Sequence, residues 1–160
     1  MKNSNIFIGG PIQYAITATG FDHPLKSIIE TAISVVKLTG ATVFSAHRHE
    51  QFGVTTPQAT PQLVSTRDFH WMKHCDVFVP ILPLESDSCL LRTDGTHIEL
   101  GWASAFDRPI VMITTSPIAN GGSHLLKGLR HIARVTLVDI NQFKQNPQLL
   151  IHAIAAYCQE

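Results

Sequence analysis

The chain has 160 residues, of which 44% are hydrophobic and 15% are charged. It is long enough for one domain with a substantial apolar core, and this composition excludes a disordered chain. Lys and Arg together number 12, as do Asp and Glu, so the formal net charge is zero. We therefore expect no broad basic face for nucleic acid or for an anionic membrane surface, and any anion must be bound locally.

Other features exclude several further classes of protein. The longest apolar runs are far shorter than the roughly 20 residues of a membrane span. The first residues lack the pattern of a secretory signal. The three cysteines are scattered and form neither a disulfide framework nor a metal-ligand spacing: Cys75, Cys89 and Cys158. We expect a cytoplasmic protein with reduced thiols and a single domain over residues 1–160.

Strand-like and helix-like segments alternate along the chain. Their apolar periodicity and their Gly and Pro boundaries predict strands at 5–9, 41–45, 76–82, 109–114 and 135–139. Helices are predicted at 24–38, 62–74, 96–106, 124–130 and 147–158. Strands that alternate with helices imply right-handed crossovers, and thus a mainly parallel five-stranded sheet between helices in one α/β domain.

Ligands of such sheets bind beyond the carboxyl ends of the strands, where the strand order reverses. This rule places the candidate site among four segments, 9–14, 45–53, 82–98 and 114–123. Three of them are rich in polar, Gly and His residues.

Glu99 is the first candidate for catalysis. Thr96 precedes it by three residues, which is the spacing of a helix capping box and offers a purely structural role for Glu99. However, Glu99 also shares a helical face with Trp102, Ala103 and Phe106. In the first helical turn, the helix dipole would favour its ionised form. An ionised, partly desolvated glutamate at a cleft is suited to act as a nucleophile.

Asp68 is the second candidate. It interrupts an otherwise apolar helical stripe formed by Val64, Trp71, Met72 and Cys75. A buried carboxylate is costly unless it is paired or functional, so a structural hydrogen bond to a loop amide or to an arginine is the alternative. Two carboxylic acids at one cleft are the usual equipment for cleaving a glycosidic bond.

Weaker signals lie after the first two strands. Gly9, Gly10 and Pro11 form a turn that could bring backbone amides close to a phosphate, or serve only as a turn. The sequence has no dinucleotide-binding or nucleoside-triphosphate loop. Arg48, in the polar cluster 47–50, could bind a phosphate or form a surface ion pair with Glu50.

His70 and His74 have a spacing that could bind a metal, but they share their segment with Arg67 and Lys73. A solvated helix face is the better interpretation, and we expect no metal site.

Four motifs occur in one order: Ile6-Phe7-Ile8-Gly9-Gly10-Pro11, Phe44-Ser45-Ala46-His47-Arg48-His49-Glu50, Cys75-Asp76-Val77-Phe78-Val79 and Gly95-Thr96-His97-Ile98-Glu99-Leu100-Gly101-Trp102-Ala103. Together they resemble the nucleoside 2-deoxyribosyltransferase superfamily, and above all its nucleoside monophosphate N-glycosidases. The resemblance covers most of residues 5–140. It implies a flavodoxin-like (Rossmann-like) sheet and a homodimer or larger homo-oligomer with shared active sites.

The resemblance also implies roles for individual residues. Glu99 matches the glutamate that attacks the anomeric carbon, and Asp68 matches an aspartate that assists at the base or the sugar. Thr93 matches a hydroxyl that binds the 5′-phosphate, and Ser123 is similar to a serine that reaches the phosphate from the neighbouring subunit. The remaining candidate substrate-binding residues are Gly9, Gly10, Pro11, Ile12, His47, Arg48, Gly95 and His97.

The resemblance implies an enzyme without a cofactor that releases the base of a nucleoside 5′-monophosphate, with a preference for pyrimidines. The alternatives are a transferase that passes deoxyribose to a second base, a nucleotide-sensing module without turnover, and an NAD glycohydrolase. The chain departs from the pattern at Ile6 or Phe7, where many members have Tyr, at 13–15 and in the long segment 84–92. These departures leave the identity of the nucleotide or nucleoside open.

Overall fold

The computed structural model describes residues 1–55 and 58–158. Its strands are β1 (Asn5–Gly9), β2 (Ile16–Thr17), β3 (Gly20–Phe21), β4 (Thr42–Phe44), β5 (Val77–Pro80), β6 (Leu84–Ser86), β7 (Cys89–Leu90), β8 (Ile110–Thr114) and β9 (Val135–Asp139). Its α-helices are α1 (His23–Leu38), α2 (Ala46–His49), α3 (Pro61–His74), α4 (Asp94–Ala105), α5 (His124–Gly128), α6 (Ile140–Gln145) and α7 (Gln148–Ala155). Short 3-10 turns lie at Gln13–Ala15 and Leu129–His131.

A parallel sheet of five strands forms the centre of the molecule, in the order β4-β1-β5-β8-β9. Counted along the chain, these strands have the order 2-1-3-4-5 of flavodoxin-like folds. The predicted fold class is therefore confirmed. The strand order reverses at β1, which pairs with β4 on one side and β5 on the other.

Alternating side chains of β1 divide the core between the two faces of the sheet. Ile6 and Ile8 pack with the apolar stripes of α1 and α7, and Phe7 packs on the opposite face with α3 and α4. The sheet is thus covered by helices on both sides, as the alternation of strands and helices predicted. None of the described helices is long and apolar enough to cross a membrane.

The five predicted strands and five predicted helices are all present, and most bounds differ by one or two residues. The sequence did not reveal α2, α6 or two small antiparallel hairpins, β2 with β3 and β6 with β7. Strands of two or three residues and one-turn helices are too short to show a period. The hairpin of β6 and β7 lies within the long segment 84–92, in which the sequence departs from the family pattern.

The helices around the candidate site begin in different ways. Thr60 caps α3 by accepting a hydrogen bond from Leu63 N at 3.3 Å, and Ser123 caps α5 in the same manner through Leu126 N. Thr93 stands at the cap position of α4, but its side chain accepts no bond from the first turn. The backbone amides at the start of α4 are therefore left without a side-chain cap.

Candidate active site

A cavity of about 340 Å³ lies at the carboxyl ends of β1 and β4, between α3 and α4. Its lining consists of Gly9, Gly10, Ile12, Gln13, Tyr14, Ala46, His47, Glu50, Ala59, Pro61, Val64, Ser65, Asp68, Thr93, Asp94, Gly95, Thr96 and Glu99. Three of the four predicted segments therefore contribute to it. The fourth, 114–123, supplies no lining residue within the described part of the chain.

Glu99 lies in the second turn of α4, because the helix already begins at Asp94. The capping-box interpretation is therefore wrong. Thr96 is the third residue of the helix and not its cap, and its hydroxyl oxygen accepts a hydrogen bond from Thr93 Oγ1 at 2.6 Å. The side chain of Glu99 is 8% exposed and turns towards the cavity wall.

The carboxylate of Glu99 lies directly against the backbone of Gly9. A Cβ atom at Gly9 would come within 2.8 Å of Glu99 Oε2 and within 3.1 Å of the Phe78 ring. Both distances are shorter than ordinary van der Waals contact. The glycine at the end of β1 is therefore required by the close approach of Glu99, and it gives the carboxylate its place in the cavity.

Burial raises the pKa of Glu99 well above its ordinary value, and the negative charge of Asp68 raises it further, while Arg67 opposes the shift. We had expected the helix dipole to keep Glu99 ionised. The dipole acts within the first turn, whereas Glu99 is in the second, so desolvation governs its protonation.

Asp68 faces the same cavity from α3 and is 7% exposed. Arg67 donates to both of its oxygens, from Nε to Oδ1 at 2.7 Å and from Nη2 to Oδ2 at 3.3 Å. The same Nη2 donates to Glu50 Oε1 at 2.8 Å. The structural alternative for Asp68, a bond to an arginine, is thus realised together with its position in the cavity.

This arrangement changes the interpretation of the polar residues around Asp68. Burial raises the pKa of Asp68, the hydrogen bonds and charge of Arg67 lower it, and the charge of Glu50 raises it. Glu50 is only 4% exposed, so it is not the surface charge that we considered as a partner of Arg48. Arg67 does not belong to a solvated helix face either, since its side chain is 16% exposed and lies over the Trp71 ring.

His47 forms part of the cavity floor and is fully buried. Its Nε2 lies 3.0 Å from the carbonyl oxygen of Pro11, which can only accept, so Nε2 carries the proton. Burial lowers the pKa of His47 to about 4, and the ring is therefore neutral at pH 7. Its Nδ1 is then an acceptor, for which the described residues provide no partner.

No protein-family model matches the chain, and no curated protein matches its sequence. Among solved structures, the chain is similar to BlsM, with a TM-score of 0.72 and 27% identity over 99% of this chain and 96% of that one. It is similar to the CMP N-glycosidase BcmB of Clostridium botulinum, with a TM-score of 0.65 and 21% identity over 93% and 99% of the two chains. A 2-deoxyribosyltransferase of Bacillus psychrosaccharolyticus gives a TM-score of 0.56 and 19% identity over 88% and 90%.

The chain has the fold of the nucleoside 2-deoxyribosyltransferase-like superfamily. The resemblance inferred from the four sequence motifs is thereby confirmed at the level of the fold. In this chain, the strand order reverses at β1, beside the cavity that Glu99 and Asp68 both line.

Most of the site residues predicted from the sequence line the cavity: Gly9, Gly10, Ile12, His47, Asp68, Thr93, Gly95 and Glu99. Within the described residues, four others lie outside its lining. Pro11 contributes its carbonyl to His47, and Arg48 is exposed. His97 is exposed and donates from Nδ1 to Thr93 O at 2.6 Å, and Ser123 caps α5.

Glu50 and Arg67 are the site residues whose importance the sequence did not reveal. One signal was available, since an arginine next to a buried aspartate is a ready partner for it. The contact between Arg67 and Glu50 joins residues 17 positions apart, in different elements, and no local pattern predicts it.

Among the described residues, no group of three or more His, Cys, Asp or Glu side chains is placed to hold a metal ion. The rings of His70 and His74 lie 4.2 Å apart on the exposed side of α3, and His74 Nδ1 is bonded to the carbonyl of His70. Both histidines are exposed, as expected for a solvated helix face.

Proposed function

We propose that the protein is an N-glycosidase that hydrolyses a nucleoside 5′-monophosphate, preferably of a pyrimidine, to the free base and the sugar 5-phosphate. One observation carries the proposal. Two buried carboxyl groups on different helices, Glu99 and Asp68, face one cavity, and Gly9 leaves the space in which the carboxylate of Glu99 lies. A pair of carboxylic acids is the equipment for cleaving a glycosidic bond through an oxocarbenium-like transition state.

In the first step, a carboxylate oxygen of Glu99 attacks C1′ as the bond from C1′ to the base nitrogen breaks. The bonding electron pair leaves with the base, and Asp68 donates a proton to the departing base. The raised pKa of Asp68 favours the protonated form that this step requires. The product in the cavity is an ester between Glu99 and the sugar phosphate.

In the second step, a water molecule attacks C1′ of this ester. The Asp68 carboxylate, left ionised by the first step, takes the proton of the water, and the bond between C1′ and Glu99 breaks with its electrons returning to the carboxylate. Sugar 5-phosphate leaves, and both side chains are restored to their starting states. The cycle consumes one water molecule and uses no cofactor.

The raised pKa of Glu99 fits this role. A desolvated carboxylate is poorly stabilised in the empty cavity, and it gains most when positive charge develops at C1′ in the transition state. The interaction is therefore stronger in the transition state than in the resting enzyme, which is the condition for acceleration.

The start of α4 supports the proposal that the substrate carries a phosphate. Thr93, Asp94, Gly95 and Thr96 all line the cavity, and the side chain of Thr93 does not cap the helix. Uncapped amides at a helix start, together with the helix dipole, favour a bound anion. Gly9 and Gly10 also line the cavity. The preference for a pyrimidine is prompted by BcmB, which is described as a CMP N-glycosidase.

We also propose a homo-oligomer in which Ser123 of one copy approaches the phosphate bound by another. Ser123 is exposed and lies outside the cavity of its own chain, so it is open to a neighbour. Mixing a Glu99→Ala chain with a Ser123→Ala chain tests this arrangement. Partial recovery of activity in the mixture supports a shared site, and a purely monomeric enzyme by sedimentation contradicts it.

Release of base from a panel of nucleosides and their 5′-monophosphates, followed by chromatography, tests the function. We expect free cytosine from cytidine or deoxycytidine 5′-monophosphate, and its loss in Glu99→Ala while the protein remains folded. A folded Glu99→Ala variant with wild-type activity would overturn the mechanism. NAD is included in the panel, since release of nicotinamide alone would redirect the assignment.

A base-exchanging transferase shares the first step and differs only in the acceptor. Adding a second free base, such as adenine, to the reaction separates the two activities. Appearance of the exchanged nucleoside or nucleotide would replace hydrolysis by transfer. Tight binding without any released base over hours would instead indicate a nucleotide-sensing module.

A further inference from the structure

The cavity has an uneven charge distribution for an enzyme that accepts a phosphate. Its lining carries four carboxyl groups, Glu50, Asp68, Asp94 and Glu99, and among the described residues it includes no Lys or Arg side chain. His47 is neutral at pH 7. Arg67 lies behind the lining and is already bonded to Asp68 and Glu50. A phosphate in this cavity therefore needs a cation from the rim.

Arg92 lies at the rim of the cavity. Its guanidinium group is held between two residues of the lining, over the Tyr14 ring at 4.7 Å and against the Asp94 carboxylate. Nε donates to Oδ1 at 3.0 Å and Nη2 donates to Oδ2 at 2.8 Å. Arg92 also directly precedes Thr93, the residue at the start of α4.

The contact between Arg92 and Asp94 has the geometry in which arginine binds an oxyanion, with two parallel N–H donors facing two oxygens. Both side chains are more than 60% exposed, so the pair can open at little cost in free energy. A phosphate dianion offers the same donors a larger charge and three oxygens. Exchange of the Asp94 carboxylate for a phosphate oxygen is therefore favourable for Arg92.

We infer that Arg92 is a specificity-determining residue, which binds the 5′-phosphate of the substrate by exchanging its partner Asp94 for the phosphate while it remains stacked on Tyr14. This inference rests on the proposed function, and it adds the source of the positive charge that the cavity lining lacks. It assigns to Arg92 the discrimination between a nucleoside monophosphate and the corresponding nucleoside.

Binding of cytidine 5′-monophosphate and of cytidine, measured by calorimetry with and without Arg92→Met in chains that also carry Glu99→Gln to prevent turnover, tests the inference. We expect Arg92→Met to weaken binding of the monophosphate by about tenfold or more, since a charge-assisted pair of hydrogen bonds is lost. Binding of cytidine should change less than about twofold. Arg134→Met is the matched control: Arg134 also forms an exposed ion pair, with Asp107 beyond the other end of α4, and its loss should alter neither affinity.

Asp94→Asn supplies the second arm. It removes one negative charge from the rim and weakens the competitor for Arg92, so the monophosphate should bind more tightly while cytidine is unaffected. Equal losses of both ligands in Arg92→Met, unchanged binding of the monophosphate, or weaker binding in Asp94→Asn would each overturn the inference. Base release by the wild type is measured separately, so binding without turnover contradicts the proposed function and leaves the role of Arg92 decided by the affinities.

Discussion

The two helices that face each other across the cavity hold their carboxyl groups in different ways. On α3, Asp68 is joined to Arg67, which also binds Glu50, so the negative charge that Asp68 carries after it gives up its proton has a partner already in place. On α4, no ion pair reaches Glu99 among the residues that the structure describes, and its carboxylate lies close to the backbone of Gly9.

This difference assigns the two roles. A carboxyl group beside a fixed cation gains or loses its charge at little cost in free energy. Such a group is suited to proton transfer and to positioning of the substrate. A desolvated carboxyl group without one gains most from positive charge that appears only in the transition state. The contrast between a compensated α3 carboxyl and an uncompensated α4 carboxyl therefore supports Glu99 as the nucleophile.

Replacing Glu99 by Gln should produce the largest effect and should separate activity from stability. We expect the rate of base release to fall at least a thousandfold, about 4 kcal/mol in activation free energy. Stability should change in the opposite direction, because Gln stays neutral in the buried position. The measurements are single-turnover base release and thermal unfolding across a range of pH.

The sign of the stability change follows from the raised pKa of Glu99. The unfolded chain ionises Glu99 near pH 4.5, whereas the native state keeps the proton to higher pH, so native stability falls as the pH rises through this window. Glu99→Gln should thus unfold at a higher temperature than wild type at neutral pH, and the two should converge below about pH 4.5. A variant less stable than wild type at neutral pH would mean that Glu99 is compensated after all.

Replacing Gly9 by Ala tests whether the close approach of Glu99 to the Gly9 backbone is needed for activity. The new methyl group would lie 2.8 Å from Glu99 Oε2 and must displace the carboxylate. A shift of the nucleophile by about 1 Å should lower kcat roughly a hundredfold. Gly101→Ala, also on α4, is the control, because its Cβ would meet no described atom within 4 Å. This variant should keep the wild-type kcat and should gain up to about 1 kcal/mol in the free energy of unfolding. Equal kcat values in both variants would contradict the close-approach argument.

The two sides of the cavity also differ in what the sequence could predict. The stripes on α3 and α4 placed Asp68 and Glu99 on buried faces, because a helical period is a local property that survives without knowledge of the fold. The fold class could be inferred from the sequence, since alternating strands and helices leave few topologies. These local signals located most of the cavity lining.

Contacts between elements that are distant in the sequence could not be predicted from its apolar periodicity. The bond between Glu50 and Arg67 depends on how α2 and α3 dock, and the protonation of Glu99 depends on burial that only the folded chain creates. The start of α4 was placed two residues late, at Thr96, and this error made a capping box plausible. An error of two residues in a helix boundary is enough to move a side chain from the first turn to the second.

Replacing Arg67 by Met should make the α3 side resemble the α4 side. It leaves Glu50 and Asp68 without the guanidinium that joins them, and we expect a loss of about 2–3 kcal/mol in the free energy of unfolding. This is less than for a fully buried pair, because solvent reaches part of the Arg67 side chain. Denaturant unfolding measures it, and Arg134→Met, at an exposed pair, should cost less than about 1 kcal/mol. Equal losses in the two variants would remove the distinction between the cavity walls.

Replacing Asp68 by Asn should lower kcat, because Asn cannot give a proton to the departing base, and the smallest effect that we expect is the accompanying shift of the pH profile. The negative charge of Asp68 raises the pKa of Glu99, so its removal should lower that pKa and move the acidic limb of kcat/KM to lower pH. Because Asp68 and Glu99 interact, the acidic limb of the wild-type profile reflects the titration of both groups together. In the variant, the position of this limb reflects the pKa of Glu99 alone. An acidic limb that stays in place would mean that burial by itself sets the protonation of Glu99. A limb that moves to higher pH would mean that the network of Arg67 stabilises the charge of Glu99 through Asp68, and the two walls would then form one electrostatic unit.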